Sequence, residues 1–438
     1  MTNKNQLNYE DLELANYLNT SQVIGNLDVV DLVKAAVLSP LNVFLVGSKG
    51  TGKTQLFQDI YRSYFGGNKK ENGQGIFIRA HPEIDIYNEI FTELNVEKAK
   101  RALTDNIDAA VYVVEEINRA PTKAQNQFFG LGDGAMDHDG RLIKIGKDGY
   151  RLLIANANLG NGSYQGTFDT DEALLNRLHV TLDLDHESFK PTIEDKLEIR
   201  HRQSVDPNVK EAPIKDISGK IITVSREISE KAHNPGIEAL AVANYIEFGL
   251  DNCMKNKNKG KVWPMDCQGC THNQSGNALC SYLKSPVERT MQAMIKYAAA
   301  LDYLSKLKDK NQNTDAVDMM FKSFELTGAY QSLLNPMLLR QDYLEQNPKF
   351  MAEVAKKLKD DFRANEDFIL TSIDEAASNG KKTVAFFEKD GKFGSHSDLP
   401  ENLKGEYAKI EPYTNGREIG LGWVNNYVDF LANQRKGK

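Results

Sequence analysis

The chain has 438 residues, room for roughly two to three domains, and 40% of them are hydrophobic. A core of ordinary size can form, which excludes wholesale disorder and a small disulfide-stapled scaffold. With 54 Lys and Arg against 61 Asp and Glu, the net charge is −7, so no global field draws the chain to nucleic acid. No run approaches the ~18–20 apolar residues of a bilayer span. No apolar stretch follows residues 1–6, so the expected compartment is the cytoplasm.

In chain order, residues 41–46 form a short apolar run that predicts a buried strand. It ends at Gly47-Ser48-Lys49-Gly50-Thr51-Gly52-Lys53-Thr54, which fits G-x-x-x-x-G-K-[ST]. Leu56, Phe57, Ile60, Tyr61 and Tyr64 follow at helical spacing. In a strand–loop–helix of this kind the glycines let backbone N–H groups turn around a phosphate at a helix N-terminus. Residues 47–54 are therefore the candidate nucleotide cradle. Lys53 is expected on the β- and γ-phosphates of ATP, and the Thr54 hydroxyl on Mg²⁺.

A second apolar strand is predicted over 109–114 and ends in Glu115-Glu116. Adjacent acids at a strand end are expected to point to different faces. One can then hold Mg²⁺ through its water shell while the other orients or deprotonates the attacking water. The turns Asp139-Gly140 and Asp148-Gly149 around Arg141-Leu142-Ile143-Lys144-Ile145 predict a hairpin. Residues 152–158 read as an apolar strand ending in a polar side chain, where an amide can hold a water by hydrogen bonding while staying uncharged at every pH. Past Pro286, Met291, Met294, Ile295, Ala298, Leu301 and Leu304 recur at helical spacing, and a further amphipathic helix is expected within 311–334. Beyond 336, helices are predicted over 350–362 and 366–377. A hairpin is predicted around Asp390-Gly391, and a last helix should carry Trp423, Tyr427, Phe430 and Leu431 on one face.

All four cysteines fall in one window: Cys253, Cys267, Cys270 and Cys280. The surrounding segment is polar and builds little core of its own, so a tetrathiolate metal site is expected to supply its stability. Zn²⁺ is the first reading. The C-x13-C-x2-C spacing with a distant fourth cysteine leaves a 4Fe–4S cluster as the alternative. Lys255, Lys257, Lys259 and Lys261 beside Trp263 read as a solvated loop, with a nucleic-acid or partner contact as the other possibility.

Glu115-Glu116-Ile117-Asn118-Arg119-Ala120-Pro121 with Gln125 resembles the D-E-I-N-R-A-P…Q segment of MoxR-type AAA+ ATPases. The family's usual Mg²⁺-associated aspartate is Glu115 here, so the resemblance implies Glu115 on Mg²⁺ and Glu116 on the attacking water; the extra methylene of Glu115 leaves room to shift the metal and slow hydrolysis. Tyr164-Gln165-Gly166-Thr167 and Ala173-Leu174-Leu175-Asn176-Arg177-Leu178 are similar to the run of the CbbQ/NorQ/CobS branch. The resemblance implies an adenine-lining strip at residues 21–26, including Ile24, and a helix-2 insert at 130–150. It also implies sensor 1 at Asn158, with Asn156 the alternative, an arginine finger at Arg177 and a sensor-2 arginine at Arg289. It implies an α/β P-loop AAA+ core with a parallel sheet over 1–190. An α-helical lid follows over 191–335, with the cysteine insertion at 251–284, and then a small α+β appendage over 336–438. The implied activity is Mg-ATP-dependent remodelling by a ring oligomer, hexameric or of another size, working with a von Willebrand A domain partner. An AAA+ nucleic-acid motor of restriction or replication type, its cysteine insert touching DNA or RNA, is the alternative.

Overall fold

The computed structural model describes residues 27–95, 100–158, 170–186, 189–205, 211–251, 282–309 and 311–364, a few single positions, and the backbone of three later strands. The chain divides into two compact units, Met1–His233 with Ala299–Thr314 and Asn234–Ala298 with Asp315–Lys438. Among the described residues, no helix is long and apolar enough to cross a membrane.

The first unit holds helix α1 (Leu27–Leu38), strand β1 (Val43–Val46), helix α2 (Lys53–Ser63) and strand β2 (Gly75–Arg79). Next come β3 (Thr92–Asn95), β4 (Lys100–Leu103), β5 (Val111–Glu115), α3 (Thr122–Gln125) and α4 (Gln127–Asp133). They are followed by β6 (Ala135–His138), β7 (Arg141–Lys144), β8 (Leu152–Ala157), α5 (Glu172–Leu175) and β9 (Val180–Asp183). Helices α6 (Ile193–Val205) and α7 (Ser218–His233) complete the series.

Five of these strands make one parallel sheet in the order β2-β5-β8-β1-β9. Strands buried on both faces read as continuous apolar runs, and β1 and β8 are buried at every position. The stripe expected on α2 is buried throughout at Leu56, Phe57, Ile60, Tyr61 and Tyr64. Because the strands are parallel, the loop after β1 and the acids after β5 emerge at the same sheet edge. Ligands of such sheets bind at that C-terminal edge.

The hairpin expected within 130–150 is present as β6–β7, turning at Asp139-Gly140, both at positive φ, 52° and 75°. A second hairpin, β3–β4, lies in the crossover from β2 to β5 and was not foreseen. The β6–β7 hairpin lies one crossover later, between β5 and β8.

The second unit begins with α8 (Ile237–Asp251) and the start of α9 (Glu288–Lys308), whose last turns belong to the first unit. It continues with α10 (Ala316–Gly328), α11 (Pro336–Gln341) and α12 (Asn347–Ala364). Pro286 lies two residues ahead of α9 rather than in its first turn. Phe321 and Tyr245 both meet Phe362 edge-on, at 6.0 and 5.3 Å between ring centres. Strands β10 (Thr383–Lys389), β11 (Lys392–Ser395) and β12 (Gly416–Gly420) form an antiparallel sheet in the order β11-β10-β12. The hairpin predicted around Asp390-Gly391 is β10–β11. The final helix predicted around Trp423 lies outside the described residues.

Candidate functional site

The loop between β1 and α2 turns on three glycines at positive φ: Gly47 at 144°, Gly50 at 80° and Gly52 at 88°. L-residues with a Cβ rarely adopt these angles. At Gly47 a Cβ would also sit 3.2 Å from Leu184 Cβ. The loop folds over the Lys53 ammonium, which donates at 2.7 Å to the carbonyls of both Gly47 and Ser48 and at 3.3 Å to Thr51 Oγ1. Burial lowers the Lys53 pKa from the usual lysine value, and the carboxylates of Asp185, Glu116 and Asp183 oppose that shift. Ser48 is tied in turn to the end of β9, since its N–H and its hydroxyl both donate to Asp185 Oδ2, at 2.7 and 2.8 Å. Lys49 and Gly50 are exposed.

Opposite the loop, the Thr54 hydroxyl donates to Glu115 Oε1 at 3.0 Å, and Arg79 Nε lies 3.3 Å from Glu115 Oε2. A hydroxyl and a carboxylate this close, beside a phosphate cradle, are a donor set that suits Mg²⁺, with nucleotide phosphates and water completing its shell. Among the described residues, no group of three or more His, Cys, Asp or Glu side chains is gathered for a metal.

Glu116 diverges from Glu115 as expected, but the cause is not strand alternation. β5 ends at Glu115, and Glu116 takes a left-handed backbone with φ 53° and ψ 50°. Its N–H donates to Asn156 Oδ1 at 2.6 Å. Its carboxylate accepts from Asn158 Nδ2 at 3.3 Å and pairs with Arg119 Nε at 2.5 Å. Both asparagines weighed for the end of β8 thus meet Glu116, Asn158 at the side chain and Asn156 at the backbone. Asn118 joins them by donating to the Asn158 carbonyl at 3.3 Å.

Arg177 is held within its own chain. Its Nε pairs with Asp133 at 2.8 Å, one Nη donates to the Ala173 carbonyl at 2.8 Å, and the guanidinium lies 4.4 Å over the Phe129 ring. Behind it, the fully buried Asn42 donates to the carbonyls of Arg177 and Gly132, at 2.6 and 3.0 Å. Asn42 Oδ1 accepts from Arg151 Nη1 at 2.8 Å and from the Leu153 N–H at 3.2 Å. Arg289 is exposed in the first turn of α9, in the second unit. Ile24, Cys253, Cys267, Cys270 and Cys280 lie outside the described residues.

Sequence reasoning missed Arg79, Asp185 and Asn42. A polar residue at the head of an otherwise apolar strand was a usable signal for Asn42. Nothing in the local pattern singles out the other two, because their partners are distant in sequence.

Residues 42–178 match the family model of the AAA domain, dynein-related subfamily. No protein of curated function matches the chain. Among solved structures, a candidate ATPase from Cytophaga hutchinsonii ATCC 33406 is similar over 79% of this chain and 93% of its own, at 13% identity and a TM-score of 0.53. At that identity the likeness speaks for the fold. The family match and the loop-and-acid geometry agree on an AAA-type α/β P-loop fold over residues 42–178.

Proposed function

We propose that the chain is a Mg-ATP-dependent, ring-forming AAA+ ATPase of MoxR-like type that remodels or activates a partner protein complex. The observation that carries this reading is the 3.0 Å contact of Thr54 with Glu115 while Glu116 turns away onto Asn158. In this reading Glu115 serves the metal and Glu116 the water. Bound Mg²⁺ neutralises charge on the triphosphate. Lys53 exchanges its two carbonyl partners for phosphate oxygens. Glu116, steered by Asn158, accepts a proton from the attacking water. Arg177, once it leaves Asp133 and the Ala173 carbonyl, serves the site of a neighbouring protomer as an arginine finger, and Arg289 reports nucleotide state from the helical region.

In the same reading the polar segment around Cys253, Cys267, Cys270 and Cys280 is stapled by zinc, and a von Willebrand A domain protein is the partner. The test is the Glu116→Gln protein in the presence of MgATP, measured by light scattering. Assembly into a ring several protomers in size is expected. A monomer at every nucleotide condition would overturn the trans role of Arg177. The same protein should retain no DNA or RNA at ~50 mM salt, where electrostatic binding is strong.

A further inference from the structure

We propose that Asn156 is a positioning residue for hydrolysis that acts through the backbone of Glu116, an inference resting on the reading of Glu116 as the base. β5 and β8 run in parallel register as far as Val114 opposite Ala155, and no further pair joins them. On its other edge the chain is still held, since the Ala80 N–H donates to the Glu115 carbonyl at 3.0 Å. The next donor on the β8 side is the Glu116 N–H. The side chain of Asn156 accepts it at 2.6 Å, in place of a backbone carbonyl. Asn156 is 2% exposed and sits in the middle of the sheet, opposite Leu45 of β1. No water replaces a bond in such a place without rearrangement.

The bond matters because of what it holds. A glutamate at φ 53° and ψ 50° occupies backbone space that residues with a Cβ seldom visit, and it stays there only where its surroundings enforce it. That turn separates the two carboxylates, one toward Thr54 and the other toward Asn158 and Arg119. Without the acceptor on Asn156, the backbone at 116 is released toward ordinary angles and the Glu116 carboxylate swings off its line to the water. The two asparagines at the end of β8 therefore divide one task, Asn158 holding the base by its side chain and Asn156 by its main chain.

Steady-state MgATP hydrolysis by the full-length protein tests this. Asn156→Ala should lower kcat by about 10–30-fold while KM and nucleotide affinity stay within about twofold, the signature of an interaction that serves the transition state. Residues acting as a unit give non-additive losses. In a Glu116→Gln background the same substitution should therefore change the residual rate by less than about twofold. Asn156→Thr, which retains an acceptor and suits a strand, should recover kcat to within about threefold of the parent. If Asn156→Ala does not fold, the near-isosteric Asn156→Leu carries the same expectation. A kcat within twofold of the parent, or losses that multiply in the Glu116→Gln background, overturns the inference. If Glu116→Gln itself hydrolyses at the parental rate, the base assignment has failed and this inference falls with it. If Glu116→Gln is slow and Asn156→Ala is not, only the role of Asn156 fails.

Discussion

Replacing Asn42 with alanine removes four hydrogen bonds from a site with no solvent access. Its amide holds the carbonyls of Gly132 and Arg177, and its oxygen holds Arg151 and the Leu153 N–H. At about 1 kcal/mol net per bond the loss is ~4 kcal/mol. Stranding buried partners in a dry interior raises it to about 5 kcal/mol. Asn42 ties β1 and β8 to the C-terminal end of α4 and to Arg177, so the loss should appear as local opening of those strands. Hydrogen exchange of peptides covering β1 and β8 in the full-length protein should speed up by about three decades or more, at ~1.4 kcal/mol per tenfold. The melting temperature should drop on the order of 10–20 °C for a unit of this size. A cost under about 1 kcal/mol would refute the claim that these four bonds organise the base of the Arg177 segment.

Two further outcomes follow from the site, and a third from the zinc proposed for the cysteines. Burial lowers the folded pKa of Lys53 below the usual 10.5. The ammonium that attracts phosphate is therefore lost as pH rises through that lowered value, and kcat/KM for MgATP should fall below pH 10.5; a flat profile to that pH contradicts it. Arg177→Ala removes a partly exposed ion pair together with the bond to the Ala173 carbonyl and the contact over Phe129, so it should cost about 1–3 kcal/mol in the stability of the chain. In the assembled enzyme the same change should slow hydrolysis ~10³-fold; equal rates before and after mutation remove Arg177 from the finger role. Elemental analysis of the purified protein should find one zinc per chain in a colourless solution. Iron with a brown colour would assign the four cysteines to a cluster instead, and no metal would contradict both.

The nucleotide loop and the acid pair were legible because their chemistry is local. The spacing of Gly47, Gly52, Lys53 and Thr54 needs only a strand before it and a helix after it, and both formed. Asn158 was legible for the same reason, as an amide where an apolar strand ends. What stayed hidden depends on sheet order. Asn42 meets Arg151 because β1 neighbours β8, and it meets Arg177 because β1 also neighbours β9, which brings Asp185 to Ser48 as well. The left-handed turn at Glu116 was hidden too, since glutamate gives no local signal for it and its cause lies forty residues on, in Asn156. Hairpin β3–β4 escaped because its strands are short and carry mixed charge, Thr92-Glu93-Leu94-Asn95 against Lys100-Arg101-Ala102-Leu103, with no period-two apolar face.

The function proposed for the site turns on whether Glu116 activates water for MgATP hydrolysis. The most direct measurement compares nucleotide binding stoichiometry and single-turnover hydrolysis for the parent and Glu116→Gln proteins. The account predicts one MgATP bound per chain in both, with hydrolysis slowed about 10²-fold or more in Glu116→Gln. Equal hydrolysis rates at equal occupancy would contradict it.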